Sequence, residues 1–317
     1  MRFLILAVAM ALALPGHAQS YPSRPVRVVV GFTPGGGVDI NARLLAAKLS
    51  ELLGQQFVVE NKPGAGTNIA NESVAKSAPD GYTLLFTSPA VAINMSLYRN
   101  PPYDALRDFA GVSVFSESTN LLVVPVALPA KSVKDLVAMA KEKPGSLNYS
   151  SAGQGTTQHL AGELFKLRTG TNIVHVPYKG SAPALTALIA GDVQLGFINP
   201  VAAGPHVTSG RLRALAVAGA KRTALFPDVP TMREAGFPGV EVALWYGLLA
   251  PKQTPREIVQ ALAGAVARAT HDEEVKKRLA ADGAEPVGNT PDEFDRQLKE
   301  DVAKYREVVR ISGAKAN

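Results

Sequence analysis

The sequence predicts an α/β protein of two Rossmann-like domains with parallel-rich sheets, joined by two crossing strands over a central cleft. Three observations carry this. From Arg27 onward, short β-branched runs alternate with stretches of helical periodicity, the pattern of parallel strands covered by helices. The alternation comes in two series, one before and one after residue 120. And a chain of 317 residues, 46% of them hydrophobic, is long enough to bury a core in each half.

The elements follow in order. Met1-Arg2 precedes twelve apolar residues, 3–14, and then Pro15-Gly16-His17-Ala18. This charge, core and small-residue order predicts a secretory signal peptide over 1–18, cut after Ala18, because twelve residues cannot span a hydrocarbon layer of ~30 Å. The expected location is therefore outside the cytoplasm. Val28-Val29-Val30-Gly31-Phe32 reads as a buried strand, and Ile40, Leu44, Leu45, Leu49, Leu52 and Leu53 mark one helix face that Gly54 ends. Phe57-Val58-Val59, a helix to about residue 77 and the strand Tyr82-Thr83-Leu84-Leu85-Phe86 complete the first series.

The second series opens with Leu121-Leu122-Val123-Val124, and Ser132 caps a helix that Pro144-Gly145 stops. Strands are expected at 147–150, 173–176, 193–198 and 212–217, with helices at 156–168 and 183–190 between them. Residues 240–249 read as a strand returning to the first domain. That return makes the first domain discontinuous, 22–122 plus 246–317, with the second, 123–245, inserted in it. The remainder is helical: Thr254-Pro255-Arg256-Glu257 and Thr290-Pro291-Asp292-Glu293 each offer Thr as N-cap, Pro next and Glu third, Thr270 with Glu273 forms a similar box, and Gly283 a stop.

Composition narrows function. There is no cysteine, which excludes a disulfide framework, a thiol nucleophile and cysteine metal sites. Without residues 1–18 the chain carries 32 Lys plus Arg against 27 Asp plus Glu, a net +5. These charges are spread over helix faces, as in Lys276-Lys277-Arg278 beside Asp272, Glu273 and Glu274, so no nucleic-acid footprint forms. His159, His175, His206 and His271 show no paired metal-ligand spacing.

The chemistry points to the glycines. Thr33-Pro34-Gly35-Gly36-Gly37, Lys62-Pro63-Gly64-Ala65-Gly66-Thr67 and Ser151-Ala152-Gly153-Gln154-Gly155-Thr156-Thr157 each lie between a strand and a helix, where free N–H groups and the helix dipole favour an anion. Tyr178-Lys179-Gly180-Ser181 and Asn199-Pro200 occupy two further junctions on the same rim. Ile40, Ile69 and Gln158 stand where a dinucleotide fingerprint needs its third glycine, and no Walker lysine follows, so no phosphate cofactor is expected. Asp39 and Arg43 read most simply as a helix start and a surface pair.

The run Gly31-Phe32-Thr33-Pro34-Gly35-Gly36-Gly37-Val38-Asp39 with Arg43 resembles the opening signature of the Bug proteins, the substrate-binding proteins of tripartite tricarboxylate transporters. Asn61-Lys62-Pro63-Gly64-Ala65-Gly66, Pro79-Asp80-Gly81-Tyr82-Thr83-Leu84, Ser151-Ala152-Gly153-Gln154-Gly155 with His159-Leu160, Val176-Pro177-Tyr178-Lys179-Gly180, Phe226-Pro227-Asp228-Val229-Pro230-Thr231 and Trp245-Tyr246-Gly247-Leu248 continue it in the family's order. Ala65 departs from a common Gly-Gly pair.

The resemblance implies a periplasmic binding protein of the type II kind, a monomer without cofactor or metal, closing over a small carboxylate for delivery to membrane permease subunits. It also implies the ligand contacts: Phe32, Thr33, Pro34, Gly35, Gly36, Gly37, Asp39, Gly64, Ala65, Gly66, Thr67 and Ser88 from the first domain. Ser151, Ala152, Gly153, Gly155, Thr156, Thr157, His159, Tyr178, Lys179 and Asn199 come from the second. The scarcity of cations on this rim favours a di- or monocarboxylate over citrate. Phe32, Tyr178, Trp245 and Tyr246 offer flat walls for an aromatic ring, although aromatics beside a hinge more often serve packing, so a dicarboxylate or an aromatic carboxylate is expected. Two rival classes remain: a ligand sensor that docks on a membrane signalling protein, and a secreted hydrolase using Ser151 or Thr156 with His159. The hydrolase lacks a Gly-x-Ser-x-Gly elbow and an orienting acid.

Overall fold

The computed structural model describes residues 21–316, so the signal-peptide reading of 1–18 lies outside the described residues. In chain order the first sheet receives β1 (Val26–Val30), α1 (Gly37–Leu53), β2 (Phe57–Asn61), α2 (Asn68–Ala75), β3 (Thr83–Thr87), α3 (Ala90–Leu97) and β4 (Phe109–Ser118). The second is built from β5 (Leu121–Pro125), α4 (Val133–Glu142), β6 (Asn148–Ser151), α5 (Thr157–Thr169), β7 (Val174–Pro177), α6 (Ser181–Ala190), β8 (Leu195–Ile198), α7 (Pro200–Thr208) and β9 (Leu212–Val217). The chain then returns through β10 (Leu244–Pro251), α8 (Arg256–His271), α9 (Glu273–Ala281), β11 (Glu285–Pro286) and α10 (Pro291–Ser312).

The two sheets share one plan. Their orders are β11-β4-β10-β3-β1-β2 and β7-β6-β8-β5-β9. In each, three strands run parallel, and the strand arriving from the other half, β10 or β5, is inserted antiparallel beside them. The sheets are therefore mixed. The chain passes from the first to the second through Thr119 and Asn120, and back through residues 218–243.

Strand alternation explains the core. Val28 and Val30 of β1 face Leu45 and Leu49 of α1 with Leu262 and Val266 of α8, while Val29 turns to the opposite face with Leu85 and Val91. Likewise Leu121 and Val123 meet Leu185 and Leu188, whereas Leu122 and Val124 join Leu136 and Phe165. The layer holding Val29 runs continuously into that holding Leu122, because α10 packs on α3 and β4 of the first half and also on α5 of the second.

Several sequence expectations change. α3 and β4 were not anticipated. β4 carries Ser113 and Ser116, both fully buried, their hydroxyls donating to the Asn289 carbonyl and to Asn41 Oδ1, so its polar residues are satisfied by distant elements instead of by solvent. Residues 240–243 precede β10 as a crossing segment outside the sheet. Thr254 does not cap α8, whose N-cap is Pro255 without a side-chain bond, and Asp272 replaces Thr270 as the cap of α9, accepting from the Glu274 and Val275 N–H groups. An aspartate directly before the helix reaches those donors, whereas the Thr270 hydroxyl is spent on the Ala267 carbonyl. The Thr290 and Glu293 box forms, and Ser132 caps α4.

Candidate functional site

The carboxyl ends of the parallel strands in both sheets lead into loops that face one another. Thr33, after β1, donates its N–H to the Lys179 carbonyl after β7 at 3.1 Å. A Cβ added at Gly37 would lie 2.8 Å from Asn199 Nδ2 and closer still to the Tyr246 hydroxyl, so glycine is what lets the start of α1 reach the second half. Gly155 has φ +76, and a Cβ there would collide with Asn94 Oδ1 on α3. Asn94 in turn donates to the Gly66 carbonyl at 2.7 Å and to Asn68 Oδ1 at 2.8 Å, holding the turn Ala65–Thr67 in place.

Between the halves lies a narrow cavity of about 20 Å³, lined by Phe32, Gly36, Gly37, Val38, Ser88, Ala152, Thr156, Thr157, Gln158, Ser181, Asn199, Leu244 and Tyr246. No lining side chain is charged. α1, α5 and α6 begin at lining residues Gly37, Thr157 and Ser181, and α7 begins directly after Asn199, so four helix N-termini present partial positive charge to one small volume. Ser181 Oγ accepts from Gln158 Nε2 at 2.8 Å and from Asn199 Nδ2 at 3.2 Å, and its own proton meets no acceptor among the described residues. Both amides are fixed from behind, Gln158 Oε1 by the Ala152 N–H at 2.7 Å and Asn199 Oδ1 by the Ala202 N–H at 3.1 Å. The Tyr246 hydroxyl likewise has no partner among the described residues, and burial pushes its pKa up, so it faces the cavity as a neutral donor.

Eight of the residues implied by sequence thus line the cavity: Phe32, Gly36, Gly37, Ser88, Ala152, Thr156, Thr157 and Asn199. The structure places the others around it. Pro34 and Gly35 sit toward solvent, Thr33 and Lys179 join the two halves at the rim, Tyr178 is half-buried, and Gly64, Ala65, Gly66 and Thr67 form the adjoining turn. Asp39 does not line the cavity. Its carboxylate, 3% exposed, accepts the Gly35 N–H at 2.9 Å, Arg43 Nε at 3.1 Å and Asn61 Nδ2 at 2.9 Å, and Asn61 also donates to the Phe32 carbonyl. Burial alone would raise this carboxyl, but the bonds from Arg43, Gly35 and Asn61 outweigh it and hold it below the usual range. The loop before α1 is thus pinned from beneath.

The second-half loop has its own support. His159 is stacked on His175 with centroids 4.2 Å apart, and Tyr149 stacks on the other face at 4.7 Å. His159 Nδ1 accepts the Gly155 N–H, while His175 Nε2 bonds Ser151 Oγ at 2.7 Å. Burial first of all depresses both imidazoles, to about 4 for His159 and about 3 for His175, so both are neutral near pH 7. The pairing of Ser151 with His159 therefore does not form, and the Thr156 hydroxyl is committed to the Gly153 carbonyl at 2.7 Å. No carboxylate bonds His175 among the described residues, and Ser151 is fully buried. Gly153, Gly155 and His159 shape the loop from below.

The lining residues Val38, Gln158, Ser181 and Leu244 fall outside the contacts that the sequence implies, Ser181 entering there only with its loop and Gln158 only as a missing glycine. Tyr246, offered by the sequence as a flat wall, lines the cavity with a hydroxyl as well.

Two α/β halves that share a five-strand plan, with helix N-termini closing on an uncharged cavity, define a two-lobed solute-binding protein. The model of the tripartite tricarboxylate transporter family receptor, TctC, matches residues 41–313. Protein BugT of Bordetella pertussis is 39% identical over 313 residues, 98% of this chain and 96% of its own. Among solved structures, Rhodopseudomonas palustris Rpa4515 with adipate superposes at a TM-score of 0.90 with 42% identity over 93% of this chain and 99% of its own. MatC from the same organism with bound malate gives 0.87 and 34% over 91% and 100%. The chain belongs to the TctC family, the Bug receptors of tripartite tricarboxylate transporters.

Proposed function

We propose that this protein captures a small dicarboxylate or aromatic carboxylate in the periplasm and delivers it to the membrane permease of a tripartite transporter. One observation carries the reading: the cavity presents two hydroxyl protons without an acceptor among the described residues, those of Ser181 and Tyr246, one from each half, among helix N-termini and with no side-chain cation in its lining. Hydrogen bonds to a charged group contribute roughly 1.5 to 3 kcal/mol each, so about four to six would sustain the roughly 8 kcal/mol of a micromolar complex after association costs. That Rpa4515 and MatC hold adipate and malate, both dicarboxylates, supports this class. No described helix is long and apolar enough to cross a membrane.

In this reading the moving bodies are the two sheets with their helices, and the expected bounds of 22–122 with 246–317 and 123–245 shift to the crossings at 119–120 and before 244, which keep β5 and β10 whole. A ligand touching both favours the closed arrangement because it binds that form better. The cavity of about 20 Å³ is too small to admit a dicarboxylate unless the halves part, so entry requires opening. Thermal-shift measurements against a panel of carboxylic acids test the function. Stabilisation by one acid and not by its amide supports it; no stabilisation by any acid, or turnover of an ester lost in Ser151→Ala, overturns it.

A further inference from the structure

A second cavity, of about 450 Å³, lies beside the crossings and shares only Leu244 with the one between the glycine loops. Both passages of the chain form its walls: residues 117–119 where β4 leaves the first sheet, and 219–224 with 241–245 on the return. The end of α9, β11 and α10 close it. Its size suits a small organic ligand, and most of the wall is apolar, from Ala220, Val242, Leu244 and Ala284.

The charges on this wall separate into two groups. Lys221 is paired with Glu285 at 2.7 Å, Arg222 with Glu234 at 2.8 Å and Glu241 with Arg233 at 3.0 Å. Glu117, Asp301 and Lys304 form no ion pair among the described residues, and the Lys304 ammonium lies instead 5.4 Å from the centre of the Tyr305 ring. Asp301 stands out because it is only 8% exposed. Its Oδ2 accepts Trp245 Nε1–H at 2.7 Å, and its Oδ1 meets no donor among the described residues. That oxygen is not sealed inside the protein: Asp301 lines the cavity, so Oδ1 reaches its open space and is free to accept from a cation there. Burial raises this carboxyl, and the Glu300 and Glu117 carboxylates add to that, against the Trp245 bond and Lys304. A metal ion is a poor candidate, since no three acidic or histidine side chains converge among the described residues.

We propose that this hinge cavity binds a small organic cation, an ammonium group directed at Asp301 and Glu117 with an apolar body against Val242, Leu244 and Ala284. The site is independent of the carboxylate reading, because it uses none of the donors of the other cavity.

Trp245 is the single tryptophan of the chain, so its indole N–H is a unique reporter beside Asp301. Phenethylammonium chloride is titrated into the ¹⁵N-labelled protein while that resonance is followed. The proposal expects a saturable shift that 2-phenylethanol does not cause. Asp301→Asn, whose amide oxygen still accepts the indole bond, weakens binding at least tenfold, and so does Glu117→Gln. The Glu117 side chain is exposed, so this second variant reads the site even if Asp301→Asn fails to fold. No saturable shift in the parent protein, an equal shift with 2-phenylethanol, or unchanged affinity in the folded variants would overturn it.

Discussion

The Thr33 N–H donates to the Lys179 carbonyl oxygen at 3.1 Å, and the two residues follow strands of different sheets. This backbone bond marks how closely the loops approach, and Gly37 shows what the approach requires. A methyl group at 37 would lie 2.8 Å from Asn199 Nδ2. Gly37→Ala is therefore expected to weaken carboxylate binding about tenfold or more, equivalent to roughly 1.4 kcal/mol, read by calorimetry. Unchanged affinity would show that the loops need not come so close.

The two cavity hydroxyls give a second prediction. Ser181→Ala and Tyr246→Phe each remove one neutral donor while leaving the supporting amides Gln158 and Asn199 in place. Each change should raise the Kd roughly ten- to hundredfold, the value of a hydrogen bond to a charged group. A loss below twofold in both would place the carboxylate elsewhere.

Asp39 gives a prediction in acid. Its carboxyl is held below its unfolded value, so its stabilising contribution is present above the usual carboxylate pKa near ~3.9 and is lost as pH falls through the depressed folded value. Asp39→Asn should be less stable than the parent at pH 6, with the gap closing toward pH 2 in Tm profiles. Parallel profiles would mean that the carboxylate is not the group pinning Gly35.

The stacked imidazoles act in a different window. His159 and His175 titrate at about 4 and about 3 in the folded protein, against ~6.5 unfolded. Between those values the unfolded chain binds more protons, so stability is lost as pH falls below about 6.5 and the slope flattens below the folded values. Each imidazole contributes about 1.4 kcal/mol per pH unit within its window. His159→Asn should lower the slope between pH 4.5 and 6 by one proton. An unaltered slope would rule out a buried neutral imidazole at 159.

Much of this was legible because it depends on local chemistry. The β1 valines, the Ser132 cap and the glycine loops each follow from a few adjacent residues, and so does the pairing of Asp39 with Arg43, found at 3.0 Å, although Asp39 is buried and not at the surface as expected. What escaped depends on partners far along the chain. Ser116 in β4 is bonded by Asn41, 75 positions away, so that strand does not read as buried. Tyr246 sits beside Trp245 in one apolar run, yet strand alternation sends the tryptophan to Phe294 and Asp301 and the tyrosine into the cavity. Gln158 likewise acquires its role from Ala152 and Ser181, which only the folded loops bring together.

The central claim is that a carboxylate bridges the two halves and holds them closed. Small-angle X-ray scattering of the processed protein, with and without a saturating dicarboxylate chosen by thermal shift, tests it most directly. The account predicts a smaller radius of gyration with the acid, and a Gly37→Ala variant that compacts less. Identical scattering with and without a ligand known to be bound would contradict it.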